Sequence, residues 1–407
     1  MSISLYLVGS LILALVFIIF PRLVKSNSKL PPSPPKLPII GNLHELRAVP
    51  KYGPVMHLKL GAIPTVVVST PETARQALKV FDLNCCSRPP LAGSGKLSYD
   101  YRDIAFSPYN EYWKEVRKLA VQQLLSNRQV NSIQPIEEEE VKNLMDSLAN
   151  AASQNNPVNL GDKLLAFTVS VVCRASFGVV FQETVLNNDN FNKLIREALE
   201  ILGSFSASNF FPYVGWFYDW LTGLQGRREE VVRDLDAFYE QMINTHRQEK
   251  KEGSEDFVGM LLRLSKEEAV LGNDKLTRNH IKAILMINGY TIQPKTHLHV
   301  NVWAIGLDPD TWKDPEIFLP ERFMDSNIDA KGQNFELLTF GSGRRMCPGM
   351  YMGTSMVEFC LANMLYHFDW KLPEGMSVED VDMEEAPGLT LTMKNGLLLV
   401  PMKFFNH

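Results

Sequence analysis

This sequence has few cysteines and no excess of basic over acidic residues, and each shortage argues against a class of protein. The 407 residues include five cysteines and carry a formal net charge of -5 at pH 7. No two cysteines have the CxxC spacing of zinc or redox sites, and a small odd number does not suit a disulfide framework. Because no excess of basic residues is available to meet phosphate backbones, we expect no nucleic-acid partner.

Internal repeats are also lacking, and the only compositionally biased stretch is a short proline-rich one. A hydrophobic content of 45% is that of a globular protein with a large core. Long helical patterns dominate the middle of the chain, and β-rich runs lie mainly towards its two ends. The predicted fold class is therefore mainly α with small β-sheets (α+β).

The first 20 residues carry no charge and approach the length that crosses a bilayer. A cleaved signal peptide is the alternative, but neither its positive start nor its small-residue cleavage site is visible. The basic residues that follow are Arg22, Lys25, Lys29 and Lys36. We therefore predict a transmembrane anchor at residues 1–21, a basic and Pro-rich hinge at 22–42, and a cytosolic domain at 43–407.

Several local signals predict individual elements. Residues Val55 to Thr70 read as a β-hairpin, and Thr70-Pro71-Glu72 supplies the start of a helix. Pro135 and four glutamates open another helix, whose acidic first turn we expect to be solvated. Asn288-Gly289 and Asn395-Gly396 are hairpin-turn pairs flanked by β-rich residues.

One stretch, Phe340 to Gly349, combines glycines, two arginines and a cysteine just before a helical pattern. Glycines let a backbone turn sharply and pass close to a flat ligand. A cysteine before a helix N-terminus, with Arg344 and Arg345 nearby, is favoured as the thiolate. The stretch therefore indicates a thiolate ligand for a metal at Cys347, with a reactive or buried cysteine as the alternative.

This stretch resembles FxxGxRxCxG, the haem-binding signature of the cytochrome P450 superfamily. The matching residues are Phe340, Gly343, Arg345, Cys347 and Gly349. The resemblance implies haem b as cofactor, with the Cys347 thiolate as axial ligand of the iron. It also implies that Arg345 pairs with a haem propionate and that Phe340 packs near the sulfur.

Further similarities follow the family's order along the chain. Trp113 and Arg117 match its WxxxR element, which serves a propionate, and Asp314 to Phe323 resembles its PERF element. The anchor and hinge resemble the microsomal class, most closely its plant members. The fold implied is cytochrome P450-like, with an N-terminal transmembrane helix.

The activity that this resemblance implies is haem-dependent monooxygenation of a small apolar substrate with O2, in the manner of plant specialised metabolism. The chain has no dinucleotide motif, because Met346 stands where Gly341-Ser342-Gly343 would need its next glycine. Electrons would therefore come from a partner, which the resemblance implies is an NADPH-dependent diflavin reductase. The implied location is the endoplasmic reticulum membrane, single-pass, with the catalytic domain on the cytosolic side.

The chain departs from the family in one internal block. Neither the acid–threonine run that relays protons nor the later ExxR motif is present where the family has them. The pattern that should start the long helix, His280 to Met286, passes directly into the Asn288-Gly289 turn. Glu230 to Arg233 fits ExxR by letter, but we interpret it as an ordinary surface helix turn.

Loss of this block makes the fold incomplete after about residue 286 and suggests a second function. The chain would then be a truncated, inactive relative that is membrane-anchored and binds haem weakly or not at all. The family holds the PERF arginine, here Arg322, with the Glu and Arg of ExxR. We expect Arg322 to find new acceptors, move to solvent or leave the domain unstable.

Overall fold

The computed structural model describes residues 30–45, 52–178, 188–248, 257–258, 260, 285–386 and 388–404. The predicted anchor at residues 1–21 lies outside these ranges. Within them, no helix combines the length and the apolar character that crossing a membrane requires.

Helices make up most of the regular secondary structure among the described residues, and the strands are short. The helices are α1 (Pro71–Arg75), α2 (Asp82–Cys85), α3 (Ala92–Leu97), α4 (Glu111–Leu119), α5 (Asn127–Ser132), α6 (Gln134–Ser153), α7 (Leu160–Phe177), α8 (Asn188–Gly203), α9 (Ala207–Phe210), α10 (Gly215–Leu221), α11 (Leu224–Gln248), α12 (Val302–Gly306) and α13 (Met350–His367). The strands are β1 (Val55–Leu60), β2 (Ile63–Val68), β3 (Val158–Asn159), β4 (Leu285–Ile287), β5 (Tyr290–Ile292), β6 (His297–Val300), β7 (Phe368–Lys371), β8 (Glu385–Ala386), β9 (Thr392–Met393) and β10 (Leu398–Lys403). The predicted class, mainly α with small sheets, is confirmed.

The strands form small sheets in the orders β1-β2-β6, β3-β10-β7, β4-β5 and β8-β9. Two predicted hairpins are confirmed. Strands β1 and β2 pair antiparallel from Leu60↔Ile63 around Gly61, and β4 and β5 pair around Asn288-Gly289. Both turn residues of the second hairpin have positive φ, 49° and 75°, as a two-residue turn of this kind requires.

The prediction of a hairpin at Asn395-Gly396 is wrong. Gly396 does turn the chain with φ 69°, but the strands on its two sides do not pair with each other. Strand β9 pairs with β8, whereas β10 pairs with β7 and β3. The local turn signal was correct, and long-range partners decided the pairing.

The two predicted helix starts are present, with one correction. Thr70 caps α1 and Pro71 occupies its first turn, and α6 begins at Gln134 with Pro135 in its first turn. The prediction of a solvated acidic turn is wrong for Glu137, which is 3% exposed. This carboxyl lies near Ser355 of α13, its Oε1 has no hydrogen-bond partner among the described residues, and burial raises its pKa.

Packing produces separate cores, and one of them positions the cysteine-bearing loop. Helices α6, α7 and α13 share the largest cluster, which includes Val141, Leu144, Leu148, Phe167, Val171, Met352, Met356, Cys360 and Met364. A second cluster joins α8 and α11 to Cys173 of α7. A third lies between the β1-β2-β6 sheet and the β4-β5 hairpin.

Candidate functional site

The loop before α13 is shaped by its glycines. Gly341 and Gly343 have φ values of 71° and 70°, in the left-handed region that side chains disfavour. A Cβ added at Gly343 would lie 2.1 Å from the carbonyl oxygen of Leu78. Glycine at position 343 is therefore required both by its conformation and by this close approach.

A backbone hydrogen bond closes the loop and sets the cysteine at its tip. The amide of Cys347 donates to the carbonyl of Phe340 over 2.9 Å, and α13 begins at Met350 after Gly349. The Cys347 side chain is open to solvent. It thus lies just ahead of a helix N-terminus, as predicted.

Arg345 ties this loop to the region around α4. Its guanidinium donates to the carbonyls of Cys86 at 2.7 Å, Ile104 at 3.3 Å and Ser107 at 2.7 Å. It also stacks on the Trp113 ring at 4.0 Å from the centroid. Burial, aided by the neighbouring Arg88, lowers the pKa of Arg345 to about 10, so it stays cationic at neutral pH.

Helix α4 brings the predicted WxxxR pair to the same place. The buried Trp113 donates its indole N–H to Ile104 O at 2.9 Å, and Arg117 donates to the carbonyl of Met346. The Arg117 guanidinium lies 5.5 Å from the centroid of the Trp113 ring. The predicted residues from two distant segments are therefore brought together around the loop.

Acidic partners are scarce around the arginines of this cluster. Within the described ranges, no carboxylate forms an ion pair with Arg88, Arg117 or Arg345, whereas Arg344 pairs with Asp82 at 2.8 Å. Burial also lowers the pKa of Arg117. An exposed thiol beside arginines that form no ion pair fits a ligand that carries a metal and carboxylates.

Arg88 is a member of this cluster that sequence reasoning missed. It donates to the carbonyl of Ala105 at 3.2 Å, and its charge lowers the pKa of Arg345. No motif surrounds it in the sequence. Its closeness to Arg345 arises from the fold alone, so no local signal could have identified it.

Two predictions about charged groups elsewhere concern Arg322 and the ExxR lookalike Glu230 to Arg233. Of the three outcomes expected for Arg322, the structure shows new acceptors: its guanidinium donates to the backbone carbonyls of Lys313, Asp314 and Ile317 at 2.6–3.0 Å. The ExxR lookalike is confirmed as a surface turn of α11. The side chains of Glu230 and Arg233 are 65% and 70% exposed and lie 3.8 Å apart.

Helix α13 has one covered and one uncovered apolar face. Met352, Met356, Cys360 and Met364 are buried at helical spacing against α6 and α7. On another face, Val357, Leu361 and Leu365 are 64%, 50% and 60% exposed. These three residues, spaced by one helical turn, form what we call the outer stripe. A helix apolar on all sides normally packs on all sides.

A family model and individual known proteins that resemble this chain point to the same family. The family model described as Cytochrome P450 matches residues 31–287 and 284–400. Cytochrome P450 71B34 of Arabidopsis thaliana is 56% identical over 494 aligned positions, which cover 97% of this chain and 99% of that protein. Cytochrome P450 71B35 of the same plant is 58% identical over 462 positions, covering 91% and 92%.

Proposed function

Because this chain belongs to the cytochrome P450 family of haem monooxygenases, we propose that the loop at Cys347 is its haem site. The Cys347 thiolate would be the axial ligand of haem b. The residues proposed to hold this cofactor are Cys347, Arg345, Phe340, Gly343, Gly349, Trp113 and Arg117. Support comes from the exposed thiol and from partly buried arginines that form no ion pair with a carboxylate of the described ranges.

Each group has a definite task under this proposal. The arginines would bind the propionate carboxylates of the haem, so that their hydrogen bonds to backbone carbonyls would be replaced by hydrogen bonds to charged groups. The glycines would keep side chains away from the haem ring. Haem bound there would supply oxygen activation for oxidation of a small apolar substrate. The electrons would come from an NADPH-dependent diflavin reductase, as the family's general use of a redox partner supports.

We further infer that this chain lacks the helices that would cover the other side of that site. The outer stripe of α13 carries this inference, because Leu361 and its neighbours remain exposed on the helix that follows the loop. In support, the two segments matched by the family model meet at residues 284–287. The alignment with cytochrome P450 71B34 also runs over 494 positions, more than the 407 residues of this chain.

This chain is therefore proposed to be an inactive member of its monooxygenase family. Carbon monoxide difference spectroscopy on the reduced protein tests this directly. We expect little or no thiolate-type band and no NADPH consumption with a diflavin reductase. A full band together with substrate-dependent NADPH consumption would instead establish a working monooxygenase and remove the inactive alternative.

The outer stripe yields a stability prediction. Leu361→Ala should change the free energy of unfolding of this chain by less than about 0.5 kcal/mol, because the side chain is already exposed. In a chain with the missing block restored, the same change should cost about 2–5 kcal/mol. Met356→Ala, on the buried face of α13, is the control and should cost a similar amount in both chains.

Urea denaturation of the four variants and their two parents measures these differences. An equally small effect of Leu361→Ala in the restored chain would mean that the block does not cover this stripe. An equally large effect in both chains would mean that the stripe already has a partner.

We also propose that residues 1–21 anchor the protein in the endoplasmic reticulum membrane, single-pass and with the folded domain in the cytosol. Deleting residues 1–20 should move the protein largely from the membrane fraction to the soluble fraction, since the apolar run would be gone. Fractionation and immunoblotting measure the change. Undiminished membrane retention would show instead that the exposed aromatic residues around Trp216 are the main anchor.

A further inference from the structure

A cavity of about 300 Å³ lies beside β1, away from the cysteine-bearing loop. Its lining includes Leu30, His57, Lys59, Thr291, Gln293 and Thr296. The lining thus presents an ammonium, an imidazole, two hydroxyls and an amide, and no carboxylate of the described residues contributes to it. All of these groups can donate hydrogen bonds to an anion.

The sheet explains why the two basic residues share a wall. His57 and Lys59 are two residues apart on β1, so both side chains project from one face of the sheet. They pair across the hairpin with Val66 and Pro64, which line the same cavity. The opposite wall comes from β5 and the residues after it, at Thr291 and Gln293.

Two lysine charges lie at this cavity, Lys59 in its lining and Lys36 close by. Within the described ranges, no ion pair joins Lys36, His57 or Lys59 to a carboxylate, and Lys36 lies close to both His57 and Lys59. Burial, then Lys59, lowers the pKa of Lys36. Burial, then Lys36, lowers the pKa of His57 to about 4. An anion bound here would relieve this repulsion.

The cavity's edge is held in place by Asn42, which is fully buried. Its amide donates to the carbonyls of Pro34 and Pro35 at 3.3 Å and 3.0 Å, and its oxygen accepts from the Lys59 amide at 2.9 Å. The His57 amide also donates to Pro32 O at 2.8 Å. The proline segment is therefore fixed against β1, so the basic groups are arranged before any ligand arrives.

We propose that this cavity binds a phosphate group. Phosphate offers several acceptor oxygens and a negative charge, which match the clustered donors of the lining, the Lys59 ammonium and the nearby Lys36. An anionic phospholipid and a free phosphate both carry this group, and the surroundings favour the lipid. Ala62, which lines the cavity, bonds to Phe210 O, and beyond it Tyr213 and Trp216 are 89% and 60% exposed. Such aromatic side chains suit the membrane interface.

The test uses the full chain in nonionic detergent, titrated with dihexanoyl phosphatidic acid, dihexanoyl phosphatidylcholine and inorganic phosphate. Calorimetry should show binding of phosphatidic acid, weakened about tenfold or more by Lys59→Gln and by Lys36→Gln. Lys371→Gln, on the separate strand β7, is the matched control and should leave the affinity unchanged.

A second measurement needs no variant that could misfold. In the unaltered chain with labelled histidine, the His57 resonance should titrate with a pKa that phosphatidic acid raises, because a bound anion favours the charged imidazole. Binding of inorganic phosphate with the same dependence on Lys59 would identify free phosphate as the ligand. The proposal would be overturned if neither phosphatidic acid nor inorganic phosphate bound, or if both lysine variants kept the wild-type affinity.

Discussion

Restoring the missing block between Met286 and Ile287 should convert this chain from weak or absent haem binding to stoichiometric binding with monooxygenation. The block of cytochrome P450 71B35 is a suitable donor, since that protein is 58% identical to this chain. The three residues of the outer stripe are 50–64% exposed, so completing their burial would gain about 1–2 kcal/mol for each side chain. That sum is a large share of the stability of a domain, about 5–15 kcal/mol.

Charge contributes to the same expectation. Arg322 currently bonds to backbone carbonyls, and the restored ExxR motif would return a carboxylate to it. Removing one side of a buried ion network typically costs about 3–5 kcal/mol, so its return should stabilise the backbone that leads to the haem loop. Under the truncation proposal, the restored block would also return the family's proton-relay residues.

Haem content, the reduced carbon monoxide spectrum and NADPH-coupled product formation measure the outcome. The control is an insertion of equal length made of glycine and serine, which restores chain length without apolar surface or charge. Equal haem loading by this control would show that length alone was limiting. Stable, stoichiometric haem and product formation by the chain without any insertion would contradict the truncation proposal.

The second large effect is expected at Cys347. In the block-restored chain, Cys347→Ala should abolish the thiolate-type haem spectrum, because no other thiol lies at the exposed tip of the loop. Burial raises the pKa of Cys85 and of Cys173 to about 12, so both remain neutral thiols at pH 7. A neutral thiol is not the species that ligates a metal.

The matched controls are alanine substitutions at the other cysteines, Cys85, Cys86, Cys173 and Cys360. Cys360 lies in the core shared by α6, α7 and α13, so its loss should lower stability while leaving the spectral band in place. Absorption spectra of the reduced carbon monoxide complexes provide the comparison. Equal loss of the band at any of these four positions would refute the assignment of Cys347.

The sequence by itself determined the features that depend on a few neighbouring residues. The Asn288-Gly289 turn, the Thr70 cap and the glycines of the loop each follow from local backbone preferences. The family signature, and the place where helical pattern passes directly into a hairpin, are likewise linear features. Both therefore follow from the order of the residues alone.

Only the tertiary structure decided which distant groups meet. Arg345 bonds to carbonyls 238 to 259 positions away, and β10 takes β7 and β3 as partners although its turn signal pointed to β9. Glu137 is buried although it lies in an acidic run, because α13 packs over it. Such contacts arise from the shared burial of side chains across the whole chain, which local preferences do not encode.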